Sequence, residues 1–123
     1  MKKTLLSDLR WFTGSETLYR HSLSRKYIYT QGVKYLADKA GAYWLIDQIA
    51  LGRPASLEKE DFQVCKLLVN SGTHTATLTT EDGNDNILST TRIDYTDFPL
   101  PEIEVWVECN EVGGFTILLP SEH

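Results

Sequence analysis

The sequence predicts an α+β domain, with amino-terminal helices packed on one face of an antiparallel sheet of about five strands in meander order. Residues 31–51 repeat apolar side chains at helical spacing, and residues 62–120 hold five short runs rich in Val, Ile, Thr and aromatics. Gly, Asn and Asp clusters separate several of those runs at hairpin distances. A chain of 123 residues is the size of one domain, here mainly helical over 1–60 and mainly strands over 61–123.

Leu5, Leu6, Leu9 and Phe12 stand at helical spacings, so a short first helix ending near Thr13–Gly14 is expected, and Ser15–Thr17 suits the cap of a further turn. "YRHSLSRKYIYT" mixes bases and aromatics, and its "KYIYT" reads as a short strand. Thr30 is an N-cap candidate, because its hydroxyl can reach the amides of the next turn. Val33, Leu36, Ala37 and Ala40 then form one apolar stripe, and Ala42, Leu45, Ile46, Ile49 and Ala50 a second.

At about 100° per residue the two stripes lie on opposite sides of an unbroken helix. Either Gly41 takes a left-handed conformation and ends the first helix, or one long helix is buried on two sides with Trp44 and Leu51 extending the first stripe. The break is the preferred reading.

"LGRPASLEKED" is a polar link punctuated by Gly52 and Pro54. The strand candidates follow at 62–70, 74–81, 86–93, 102–109 and 115–120. "NSGT", "EDGN" and "NEVGG" mark hairpins, with Asp82–Gly83 suited to a type I′ turn. In "DYTDFPLP", Pro99 and Pro101 hold Phe98 and Leu100 extended, so this link is expected to cross the sheet end.

Charge is split along the chain. Residues 1–60 carry ten Lys/Arg and six Asp/Glu, residues 61–123 two and eleven, within a net −5. Asp8 and Arg10 interrupt the first apolar run, which argues against a signal peptide, and no run is long enough to cross a membrane as a helix. A cytoplasmic location is expected. Cys65 and Cys109 have no CxxC or CxxH partner and are expected as buried thiols.

Phosphate-cradling loops are missing: neither GxGxxG nor GxxxxGK[ST] occurs. His21, His74 and His123 are scattered and none lies in HExxH, and no GxSxG elbow exists, so no metal, cofactor or catalytic residue is expected. One arrangement is ordered. In "EIEVWVEC" alternation puts Ile103, Val105, Val107 and Cys109 on one face and Glu102, Glu104, Trp106 and Glu108 on the other. A tryptophan among glutamates is suited to anchor a basic protein partner. The bland reading is that Trp106 only covers neighbouring strands; Thr75, Thr77 and Thr79 likewise read as a solvated face.

Two alternatives stand beside it. Tyr43, Trp44 and Asp47 would line a small-molecule pocket between helices and sheet, Tyr43 and Asp47 being one turn apart. Arg20, Arg25 and Lys26, interleaved with Tyr19, Tyr27 and Tyr29, would stack bases and neutralise phosphates, although three cations in an acidic chain make nucleic acid the weaker partner. Mimicry of a nucleic acid by the acidic half is a further option.

The blocks "YTQGVKYLADKAGAYWLIDQIA", "LTTEDGN" and "DYTDFPLPEIEVWVE" followed by "LLPSEH" resemble a family of small bacterial proteins known only as a domain of unknown function. The resemblance covers most of residues 29–123 and implies one domain of this organisation, with no activity to carry over. The leading expectation is a non-enzymatic protein that binds another protein; its oligomeric state is not legible.

Overall fold

The computed structural model describes residues 18–21, 26–52, 57, 59–110 and 113–123. The helix expected near residues 5–12, the turn at 15–17, Arg25 and Pro54 lie outside the described residues. Strand β1 is Leu18–Arg20 and β2 is Tyr27–Thr30, the second matching the predicted short strand. Helix α1 spans Gln31–Ala40, opened by Thr30, whose hydroxyl accepts from the Val33 N–H at 3.3 Å. Gly41 closes it at φ 62° and ψ 39°, with its N–H on the Ala37 carbonyl, and α2 spans Tyr43–Leu51. The helix therefore breaks. Val33, Leu36 and Ala37 from α1 and Leu45, Ile46 and Ile49 from α2 enter the same core, while Leu51 is left 51% exposed.

Five longer strands follow: β3 Phe62–Asn70, β4 Thr75–Glu81, β5 Ile87–Ile93, β6 Glu102–Cys109 and β7 Phe115–Leu118. The five-strand antiparallel meander predicted from the sequence needs correction. Among the described residues the sheet has seven strands in the order β1-β2-β7-β6-β3-β4-β5, and it is mixed, because β2 runs parallel to β7. Only β3, β4 and β5 meander. The chain then crosses back, so that β6 pairs with β3 rather than β5.

The proline link makes that crossing possible. It must pass two strands, a step of roughly 14 Å at sheet spacing, and its prolines favour the extended backbone such a step needs. The Thr96 N–H donates to the His74 carbonyl at 2.7 Å and the Val69 N–H to the Pro101 carbonyl at 2.8 Å, fastening the link across the sheet end. Phe98 and Leu100 are buried beneath it. The parallel pair has its own cause: Tyr27 stacks on Phe115 at 5.3 Å, and the Phe115 N–H donates to the Lys26 carbonyl at 2.7 Å. A side chain at Gly114 would put its Cβ 2.4 Å from that carbonyl oxygen, so glycine is required there.

Both helices pack on one face of the sheet, against residues such as Val105 and Ile117, and the void left between the layers is only about 10 Å³. That is at the limit for a single water. Gln63 is fully buried on this side with its Nε2 donating to the Leu57 carbonyl at 2.9 Å, so its desolvation is offset.

Two local expectations are revised. The β4–β5 turn is not a two-residue type I′ turn. It is a longer loop in which the Asp82 carboxylate accepts from the Asn84 and Asn86 N–H groups at 2.8 and 3.3 Å, with positive φ at Gly83 and Asp85. The Asp82 carboxyl is held below its ordinary value, first by the Asn86 side-chain hydrogen bond. Cys65 is buried beside Thr80, but Cys109 is exposed, because it ends β6 outside the core. Among the described residues no helix is long and apolar enough to cross a membrane.

Candidate functional site

Strand β6 is central, so its alternation has consequences on both sides of the sheet. Val105 and Val107 turn into the core under the helices, and Glu102, Glu104, Trp106 and Glu108 turn to the other, outer face. Register sets their neighbours: Trp106 stands opposite Val64 of β3 and Leu118 of β7, and Glu104 opposite Lys66.

Trp106 is half-buried and fully engaged. Its indole N–H donates to Glu104 Oε2 at 2.7 Å, and its ring meets Phe62 edge-on at 5.2 Å and His123 at 5.1 Å. His123 is delivered there by a 3-10 turn, η1, at Pro120–Glu122, and its Nε2 lies 3.3 Å from Glu108 Oε2. The outer face thus carries an aromatic cluster of three rings edged by carboxylates. The cation facing Glu104 is already engaged: Lys66 pairs with Glu81 at 3.2 Å, and that hydrogen bond raises its pKa.

Beside the cluster runs a groove of about 510 Å³ between the ends of β3 and β6. Leu68, Pro101, Glu102 and Glu104 are among its lining residues, and Leu68 is 52% exposed. The groove combines apolar contact area with two carboxylates, Glu102 and Glu104, and the Lys66 cation.

The small-molecule trio does not converge. Tyr43 donates its hydroxyl to Asp38, a bond that raises the Tyr43 pKa, while Asp47 meets His21 Nε2 at 2.7 Å. Trp44 faces another way, edge-on to Phe98 at 6.5 Å. It lines an open groove of about 310 Å³ with Gln48, Ile93, Tyr95, Thr96 and Asp97, and neither Tyr43 nor Asp47 reaches it. Neighbouring helical residues diverge by about 100°, which is why Trp44 parts from the two.

The basic segment is also divided. Tyr27 is buried in the core, and Tyr19 and Tyr29 stack on one another at 5.7 Å with Lys34 over the Tyr19 ring. Arg20 and Lys26 are exposed on β1 and ahead of β2. No group of His, Cys, Asp and Glu among the described residues is arranged to hold a metal ion.

The quoted blocks supply the helix pair, the proline link and strand β6 of this fold. The chain belongs to the family of unknown function DUF6876, whose model matches residues 3–123. Comparisons with curated proteins and with solved structures give no match. DUF6876 membership covers the outer face, the proline link and the Gly41 break together, but brings no assigned chemistry to any of them.

Two polar clusters escaped the sequence reading. His21, buried at the end of β1, meets Asp47 across 26 positions, and no local spacing announces such a pair. Glu122 of η1 accepts from the Thr30 hydroxyl and from the Gly32 N–H at 3.2 Å, setting a carboxylate at the start of α1. "LLPSEH" belongs to the quoted blocks, but nothing in it names Thr30 as its mate.

Proposed function

We propose that this protein is a non-enzymatic binding module whose outer sheet face takes a basic segment of another protein. The observation that carries the reading is the row Glu102, Glu104, Trp106 and Glu108 beside the groove at Leu68, on the face that the helices leave uncovered among the described residues. Half-buried aromatic side chains at the centre of such surfaces are the usual energetic anchors, and flanking charges govern encounter and specificity.

Exposed Glu102 supplies a test that leaves the fold alone. Affinity capture with the wild-type chain should retain a basic partner, and Glu102→Lys should weaken that capture, most strongly at low salt. Combining Trp106→Ala with Glu104→Lys should abolish it, since loss of a tryptophan anchor costs about 2 kcal/mol or more. Capture profiles unchanged by both variants would sink the proposal.

A second reading keeps the groove beside Trp44 for a small molecule, with Gln48 and Asp97 as its polar contacts. Quenching or shift of tryptophan emission by a ligand, lost in Trp44→Phe, is its test.

A further inference from the structure

The two edges of the sheet are unlike. At one end β1 has three residues among those described. At the other end β5, "ILSTTRI", has seven residues, no proline and a single charge, Arg92. No described strand lies beyond it. An edge strand turns every second residue's N–H and C=O away from its one neighbour, so β5 offers a ladder roughly 24 Å long to an incoming strand. The bulge opposite Glu81 disturbs only its first residues; from Ser89 to Ile93 the register with β4 is regular.

We propose that β5 pairs antiparallel with β5 of a second copy of this chain, about a two-fold axis at Thr91, joining two seven-stranded sheets into one. The chemistry of the strand selects both the occupant and the register. With the axis at Thr91, Thr91 meets its own counterpart and Ser89 meets Ile93. Thr90 meets Arg92, so the strand's one charge faces a hydroxyl rather than its mate. The regular stretch Ser89–Ile93 is centred on Thr91, so this register pairs all of it with its counterpart.

Neighbouring registers are worse. An axis at Arg92 would put two guanidinium groups side by side, and an axis at Thr90 would draw Ile87 and Leu88, at the bulge, into the pairing with Ile93 and Arg92. Because the two-fold axis stands normal to the sheet, the helix layers of both copies lie on the same side. The grooves beside Trp44, at the Ile93 end of each strand, then lie at opposite ends of the strand pair, and the two Trp106 clusters lie on the other face with β3, β4 and β5 of each copy between them.

The test uses the full chain in sedimentation equilibrium across a concentration series. A small strand-to-strand interface should give a dimer with a dissociation constant on the order of 10–100 µM. Thr90 is exposed, so charge can be placed there without disturbing the core. Thr90→Lys sets two like-charge pairs against Arg92 of the other copy and should weaken the dimer about tenfold. Thr90→Glu sets two opposite-charge pairs and should tighten it several-fold, with the gain lost at high salt. A general effect on folding would move both variants in one direction, whereas this register moves them in opposite directions. A chain that is monomeric throughout the series, or a dimer indifferent to both substitutions, overturns the proposal.

Discussion

Replacing Gly41 with alanine should destabilise the protein, and the sign of that effect tests the central feature of the helical layer. Gly41 sits at φ 62° and ψ 39°, and a Cβ built on it meets nothing within 4 Å. The cost is therefore conformational and not steric. An L-residue held left-handed loses about 1–2 kcal/mol, while removing glycine's freedom from the unfolded chain returns roughly 0.4–1 kcal/mol. The net is a loss of about 1 kcal/mol, or a fall in Tm of about 3–5 °C for a chain of this size. Urea unfolding should show a lower midpoint with an unchanged slope. Gly41→Asn should cost less, since asparagine enters this region more readily. Were α1 and α2 one continuous helix, alanine would instead stabilise by roughly 0.5–1 kcal/mol. A Gly41→Ala protein as stable as wild type, or more so, refutes the break.

Adjacent leucines on β3 test the facing of the sheet: Leu67→Ala should cost about 3 kcal/mol, because that side chain is fully buried, while Leu68→Ala on the outer face should stay within about 0.5 kcal/mol. A Cβ at position 32 would lie 2.7 Å from Glu122 Oε1 and 2.8 Å from Leu119 Cδ1, so Gly32→Ala should destabilise. Its cost should shrink in a Glu122→Ala background, a coupling read from a double-mutant cycle. The Asp38 carboxyl is held below its ordinary value of 3.8 by hydrogen bonds from Lys34 and Tyr43. A depressed folded-state pKa stabilises above the unfolded value and loses that contribution as pH falls through the folded one. The stability gap between wild type and Asp38→Asn should accordingly be open at pH 6 and close below pH about 3.8, with NMR titration of Asp38 giving a midpoint under that of a free carboxyl.

What the sequence could carry was local. The conflict between the stripes of Val33 and Leu45 left either a break at Gly41 or one helix buried on two sides, and the left-handed Gly41 decides for the break. Thr30 announced its cap, and the alternation of β6 separated Val105 from Trp106 correctly. Pairing was out of reach for the same reason: alternation specifies a face, not a neighbour. Nothing in "EIEVWVEC" distinguishes β3 from β5 as its partner, and the link at 94–101 serves a return to either side. The parallel β2–β7 pair depends on Gly114 admitting the Lys26 carbonyl, a contact across 88 positions that only the folded chain reveals. At the alternative site, the one-turn spacing of Tyr43 and Asp47 was legible; their capture by Asp38 and His21 was not.

The outer face and the β5 edge differ in the physics that would make them bind. Around Trp106 the groups that would recognise a partner are carboxylates, so on the proposed reading attraction for a basic segment would speed encounter and be screened beyond about 8 Å at physiological ionic strength. Along β5 the elements are backbone amides and threonine hydroxyls with one charge, so pairing is short-ranged and nearly indifferent to salt. One sheet can therefore hold a salt-tolerant contact with its own kind and a salt-sensitive contact with another protein without the two competing, because one uses the rim of the sheet and the other its face. Joined at Thr91, two copies would present two Trp106 clusters on one continuous surface. A partner with two basic segments would then gain effective concentration at the second site, provided its spacer spans the distance between the clusters. Weak individual contacts at Glu102 and Glu104 would thus suffice for firm retention, and moderate salt would release the partner while leaving the strand pairing intact.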